Sequence, residues 1–220
     1  MTKIIAFEGI DGTGKSVQLE LLNRRLLSLG KSVMTISFPC YQNYFGSFVG
    51  KYLSAEGGVA ADSVDGKSMA LWFALDRWEA FKGLDYTDKD FLLINRYMLS
   101  NAVYQCIRDC DPLDSDLLDF VFELEHGHFG LPLADLNLVL DVDPDDAAHN
   151  VDKKGFRDYV GNARDVYEAK DAIQLRARRK YLAYSERMDS IAIVPCMRDG
   201  RQKPIDEIAE LIFNAIKPLL

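Results

Sequence analysis

Short apolar runs alternate with longer amphipathic stretches along most of this chain. Lys3 to Phe7, Ser32 to Phe38, Phe91 to Ile94, Leu136 to Val142 and Ile191 to Pro195 have the length and apolar content of buried strands. Segments long enough for helices separate them, and that alternation predicts an α/β fold: a five-stranded, mostly parallel sheet flanked by helices. In the first helical segment Leu19, Leu22, Leu26 and Leu29 recur at three- and four-residue steps and Gly30 ends the pattern, so one face should lie on the sheet. The last, Ile205 to Ile216, follows Pro204 and sets Ile205, Ile208, Ala209, Ile212 and Ile216 on one stripe.

Two stretches break the alternation, Ala55 to Gly66 and Val151 to Arg164, and both read as mobile loops. The second gathers Lys153, Lys154, Arg157 and Arg164 around Gly155 and Gly161, as either a solvated charged loop or one that meets an anion. No Pro/Ser-rich linker divides the chain and no repeat with a period of about 20 to 50 residues is visible. Residues 1–220 therefore read as one domain.

Composition narrows the class. With 48% hydrophobic residues, 220 residues suffice to bury a full core. No run approaches the roughly 18 apolar residues of a membrane span, and the strand-like start has no charged-then-apolar leader, so the expectation is a cytoplasmic protein without membrane partners. A formal net charge of −8 gives no general attraction to nucleic-acid polymers, so any bound phosphate must be held locally. Cys40, Cys106, Cys110 and Cys196 are too scattered for a disulfide framework and read as thiols. His126, His128 and His149 show no zinc-binding spacing, so a metal caged by protein alone is not expected.

The strongest chemical signal is Gly9-Ile10-Asp11-Gly12-Thr13-Gly14-Lys15-Ser16, a Gly-x-x-x-x-Gly-Lys-Ser phosphate loop placed between the first strand and the first helix. Glycines let successive N–H groups turn toward phosphate oxygens, and the helix directs its positive end at the same anion. Lys15 should reach the β- and γ-phosphates of ATP, and Ser16 should offer its hydroxyl to Mg²⁺ brought by the nucleotide. The loop predicts a P-loop NTPase fold but leaves the acceptor open. No Asn-Lys-x-Asp guanine-reading motif occurs. Leu138-Val139-Leu140-Asp141 lacks the following glutamate of an ATPase and reads as a core strand.

Further segments follow in order: Phe38-Pro39, Phe73-Ala74-Leu75-Asp76-Arg77, Asn95-Arg96-Tyr97, Ser100-Asn101-Ala102-Val103-Tyr104-Gln105, Gly130-Leu131-Pro132 and Asp165-Val166-Tyr167-Glu168. With Phe7-Glu8 and the phosphate loop, the ordered set resembles the thymidylate kinases across nearly the whole chain. That resemblance implies phosphorylation of thymidylate (dTMP) by ATP–Mg²⁺, a lid at about residues 151–166, and a homodimer. It assigns ATP to Gly9, Asp11, Gly12, Thr13, Gly14, Lys15, Ser16 and Val17, with Arg198 as a candidate near the adenine. Phe38 and Pro39 would wall the acceptor pocket, Ser100 and Gln105 would line it, and Tyr167 and Glu168 would sit over the bound nucleotide. Phe73 and Arg77, four apart on a predicted helix, would share a face that offers a flat surface to a pyrimidine and a donor to its O4. Arg96 would hold the acceptor phosphate and Asn101 would pair with the ring. Tyr104 would crowd the sugar 2′ position, and Asp11 would touch the 3′-hydroxyl or order the phosphate.

The chain departs from the family at three places. Asn95 stands where many members have Asp, so a contact to water or Mg²⁺ would fall to Glu8. Gly12 replaces an arginine found in some members, which moves charge neutralisation to Arg157 or Arg164 in the lid. Cys40-Tyr41-Gln42 follows Phe38-Pro39 where an arginine is common, so that phosphate contact would fall to the Tyr41 hydroxyl. Two rival functions stand beside the kinase: a monophosphate kinase preferring deoxyuridylate or a cytidine nucleotide, and a non-catalytic nucleotide-binding regulatory module.

Overall fold

In the computed structural model, which describes residues 1–109, 116–152 and 171–220, the expected strands assemble into one parallel sheet. β1 (Lys3–Glu8) is buried at every position after Lys3 and lies in the middle, between β3 (Phe91–Asn95) and β4 (Leu136–Asp141). β2 (Val33–Ser37) and β5 (Ile191–Pro195) complete the order β2-β3-β1-β4-β5. Burial on both faces explains why the central strands are continuous apolar runs, without polar alternation. Phe7 pairs with Asn95 and Glu8 with Val139, so the C-terminal ends of β1, β3 and β4 share one edge, where open α/β sheets bind ligands.

Helices cover the sheet: α1 (Lys15–Ser28), α2 (Tyr44–Leu53), α3 (Gly66–Lys82), α4 (Met98–Asp109), α5 (Leu118–Phe122), α6 (Pro144–Asp152), α7 (Asp171–Ser185) and α8 (Ile205–Ile216). α1 buries Leu19, Leu22 and Leu26 but leaves Leu29 outside the face that its spacing predicts. Leu29 is the C-cap: Gly30 (φ 76°) turns left-handed, its N–H reaches the Leu27 carbonyl (3.0 Å) and the Lys31 N–H reaches that of Leu26 (3.1 Å). On α8 the stripe is Ile208, Ile212 and Ile216 with Phe213, while Ile205 in the first turn is exposed. The stretch 55–66 contains two 3₁₀ turns, and Arg108 of α4 donates to the carbonyls of Ala61 (2.6 Å) and Val64. Beyond β5 a small antiparallel hairpin, β6 (Met197–Arg198) with β7 (Arg201–Gln202), precedes α8. Of the expected lid, about 151–166, residues 153–166 lie outside the described residues.

Candidate active site

The phosphate loop is held from behind by backbone contacts that exclude side chains. At Gly9 (φ 126°) an added Cβ would stand 2.8 Å from the Leu140 carbonyl of β4. At Gly12 (φ 82°) it would stand 1.9 Å from the Ala147 carbonyl of α6. These contacts, with the positive φ, dictate glycine at both positions. Asn150 of α6 donates to the Gly12 carbonyl (3.0 Å) and to Gln202 of the hairpin (2.8 Å), tying three segments together. Lys15 is folded into its own loop: its ammonium donates to the carbonyls of Gly9 (3.0 Å) and Ile10 (2.7 Å) and to the Thr13 hydroxyl (3.4 Å).

Arg96, just past β3, adopts a left-handed backbone (φ 64°) while its N–H still bonds the Phe7 carbonyl (3.0 Å). A non-glycine residue in that region is strained, and such residues cluster at functional sites. The twist carries its guanidinium to Asp11 of the phosphate loop, with a second bond to Ser100 (3.2 Å) and the Tyr104 ring 5.2 Å away. Burial works against the Arg96 charge, but Asp11, Tyr104, Tyr181 and Glu8 together outweigh it and hold the guanidinium protonated. Asp11 also accepts from Tyr104 Oη (3.1 Å) and Gln174 Nε2 (3.2 Å), and its own N–H reaches Gln174 Oε1 (3.1 Å).

Behind this pair, Glu8 is fully buried and accepts from the Tyr97 N–H (2.8 Å), Ser100 Oγ and Tyr181 Oη (3.3 Å). Burial raises its pKa above the ordinary carboxylate value. It braces the residues after β3 from below and is not among those lining the crevice.

The crevice itself has a volume of about 390 Å³. Its walls bring together Asp11, Gly12, Gly14, Lys15, Ser16 and Val17 from the phosphate loop and the start of α1, with Phe38, Pro39 and Tyr41 after β2. Phe73 and Arg77 of α3 line it together, as their spacing predicts, and so do Asn95, Arg96, Ser100, Asn101, Tyr104 and Gln105. Phe38 stacks on Phe81 (centroids 6.2 Å apart) and precedes a cis peptide bond to Pro39. Asp76, completely buried, accepts from the Cys40 N–H (3.2 and 3.1 Å) and so pins the turn after β2 to α3.

Several expected site residues lie elsewhere. Arg198 points away onto Glu207 of α8 and does not line the crevice. Gly9 and Thr13 act behind the loop, Thr13 donating to the Ile10 carbonyl (3.1 Å). Arg157, Arg164, Tyr167 and Glu168 fall outside the described residues. Asp141 is occupied by Arg178 of α7 (2.5 and 3.1 Å), in keeping with a core strand that ends in a structural pair. Two residues that the motifs did not reveal hold the site: Gln174, in the first turn of α7, and Glu125. Glu125 accepts from Arg77 at 2.5 and 2.6 Å and from Asn101 at 2.8 Å.

The donor set suits Mg²⁺ carried by a nucleotide. Ser16 Oγ lines the crevice 3.4 Å from Asn95 Nδ2, and Asn95 Oδ1 is buried with no hydrogen-bond partner among the described residues. These are hard oxygen donors, too few to cage the ion without phosphate and water.

Comparison with known proteins places the chain among described relatives. The family model described as Thymidylate kinase matches residues 7–201. The chain is 33% identical to the thymidylate kinase of Mycobacterium tuberculosis over 81% of its own length and 83% of the relative's. It is 27% identical to a probable thymidylate kinase of Methanocaldococcus jannaschii over 97% of its length and 95% of the relative's. The solved thymidylate kinase of Candida albicans superposes with a TM-score of 0.72 at 22% identity, over 99% of this chain and 92% of that one, which establishes the shared fold.

Proposed function

This chain belongs to the thymidylate kinase family and phosphorylates thymidylate, and we propose that it does so by direct in-line transfer from ATP–Mg²⁺ within the crevice described above. The observation that carries this reading is the convergence of phosphate-loop residues and the Phe73, Arg77, Arg96 and Asn101 side chains on one crevice. In it the triphosphate lies along Gly12 to Ser16, with Lys15 exchanging loop carbonyls for phosphate oxygens. Ser16 would offer its hydroxyl to Mg²⁺ brought by the nucleotide, which would supply positive charge to the phosphate oxygens. Arg96 grips the acceptor phosphate, Phe73 stacks on the pyrimidine, Arg77 donates to its O4 and Asn101 meets its N3. Tyr104 stands at the sugar 2′ position, and Asp11 serves the sugar hydroxyl or orders Arg96.

An acceptor phosphate oxygen bonds the γ-phosphorus while the bond to the β–γ bridging oxygen breaks, leaving ADP and the diphosphate. Such chemistry depends on positioning and charge, so no covalent intermediate on the protein is required. The family likeness assigns the charge that meets the transferring group to Arg157 or Arg164. A homodimer and a cytoplasmic setting belong to the same reading and rest on the family likeness; mass in solution tests the first. No helix among the described residues is long and apolar enough to cross a membrane.

A coupled assay of ADP release across pyrimidine monophosphates, with product identification, tests the proposal. Thymidylate should give the highest kcat/KM, and Arg77→Ala should raise its KM far more than that of ATP. Faster turnover of a cytidine nucleotide would overturn the substrate assignment. Binding of both nucleotides without diphosphate formation would favour the regulatory module.

A further inference from the structure

We infer that Glu125 is the positioning residue that sets the base selectivity of the crevice, by fixing one side chain as hydrogen-bond acceptor and another as donor. The inference rests on the reading that Arg77 and Asn101 face the pyrimidine. Glu125 lies on the π-helical turn Glu123–His128 that continues α5, an unusual geometry that recurs at functional sites. The turn is closed by the Leu131 N–H on the Glu125 carbonyl (2.9 Å) and by Gly130, whose φ is 68°. Its carboxylate is completely buried, 24 residues from Asn101 and 48 from Arg77 in sequence.

Oε2 accepts from Arg77 Nε (2.5 Å); Oε1 accepts from Arg77 NH2 (2.6 Å) and from Asn101 Nδ2 (2.8 Å). The same Asn101 nitrogen donates its second hydrogen to the Ala70 carbonyl (3.1 Å). Two acceptors around one terminal atom allow a single amide orientation, because the flipped amide would set oxygen against oxygen twice. Asn101 Oδ1 is thereby fixed as the atom left over. It is buried, has no partner among the described residues, and belongs to a side chain lining the crevice. An unmet buried acceptor is unfavourable, and a ligand N–H would relieve it. On Arg77, Glu125 takes Nε and NH2 and leaves NH1 as the donor to a ligand. Thymine and uracil carry an N3–H donor beside a C4 carbonyl acceptor. Cytosine carries the reverse, an N3 acceptor beside a C4 amine, so one carboxylate orders a pair that fits the former and repels the latter.

The test is the preference for thymidylate over deoxycytidylate, as a ratio of kcat/KM values, in Glu125→Gln. With one acceptor replaced by a donor, only the Ala70 carbonyl still opposes a flipped Asn101 amide, so its orientation is no longer fixed twice. The preference should fall about tenfold or more through opposite changes in the two monophosphate KM values, while the KM for ATP stays put. An unchanged preference in folded protein would overturn the inference. Should Glu125→Gln not fold, Glu125→Asp decides by the same readouts, since its shorter side chain keeps the charge but cannot span both partners. In the unsubstituted protein crystallised with thymidylate, Glu125 should still hold Asn101 Nδ2 with Oδ1 on N3, and a carboxylate turned away from Asn101 would equally overturn it. Asn101→Ala separates the two levels: no effect on the thymidylate KM would sink the base reading itself, whereas a large effect beside a silent Glu125→Gln sinks only the role of Glu125.

Discussion

Asp11 in the phosphate loop and Arg96 beyond β3, 85 residues apart in sequence, form an ion pair that joins the two halves of the crevice. Both side chains are largely buried, Asp11 at 19% and Arg96 at 17% exposure, so neither charge is well served by water alone. Asp11→Ala should therefore destabilise the protein by about 1–3 kcal/mol in urea unfolding. Saturating thymidylate should recover much of that loss, because its phosphate supplies the missing negative charge. A variant as stable as its parent would contradict this account of the pair.

Lys15 bonds the Gly9 and Ile10 carbonyls of its own loop. Lys15→Met should lower kcat by about 10²- to 10³-fold, the usual effect of removing one preorganised donor from a developing charge. The KM for thymidylate should move little. Comparable losses in both parameters would argue against separate donor and acceptor halves.

Gly12 leaves no space toward Ala147. Gly12→Ala should cost about 1–2 kcal/mol from the left-handed backbone alone, and more from the overlap with α6. Thermal unfolding would read the loss, and the ATP KM should rise with it. The same overlap explains why an arginine cannot occupy this position without α6 moving.

Asn95 places an amide next to Ser16, with its oxygen unmet among the described residues. Asn95→Asp should supply a negative charge beside the hydroxyl and lower the Mg²⁺ concentration needed for half-maximal rate. Titrating the rate with Mg²⁺ in both proteins is the measurement, and identical curves would exclude a part for this side chain in ordering the metal.

Burial raises the Asp76 pKa from 3.8 to about 6, against the pull of Arg77 and the Cys40 N–H. The folded carboxyl keeps its proton where the unfolded one has lost it, so the native state binds more protons between about pH 4 and pH 6. The stability due to this group is thus present at low pH and lost as pH rises through that window, by at most about 3 kcal/mol. Asp76→Asn retains an acceptor for Cys40 without titrating. The stability of the parent relative to this variant should fall across the window in urea unfolding, and a flat difference would refute the buried, titrating carboxyl.

Local order in the chain determined much of this protein. Continuous apolar runs specify strands buried on both faces, Gly30 specifies where α1 ends, and the glycine pattern before Lys15 specifies an anion-binding turn, because each depends on neighbours a few residues away. Phe73 and Arg77 share a wall for the same reason, four residues making about one turn of helix. Tertiary structure decided the rest. Arg198, which its position after β5 puts near the adenine, pairs with Glu207 of α8, a partner that no local spacing announces. Glu125 and Gln174 carry no local signature; only the packing of α5 and α7 against α4 brings their side chains to Asn101 and Tyr104. Which hydrogen Asn101 donates, and which atom it leaves for a ligand, depends on groups 24 and 31 residues away, and no spacing rule reaches that far.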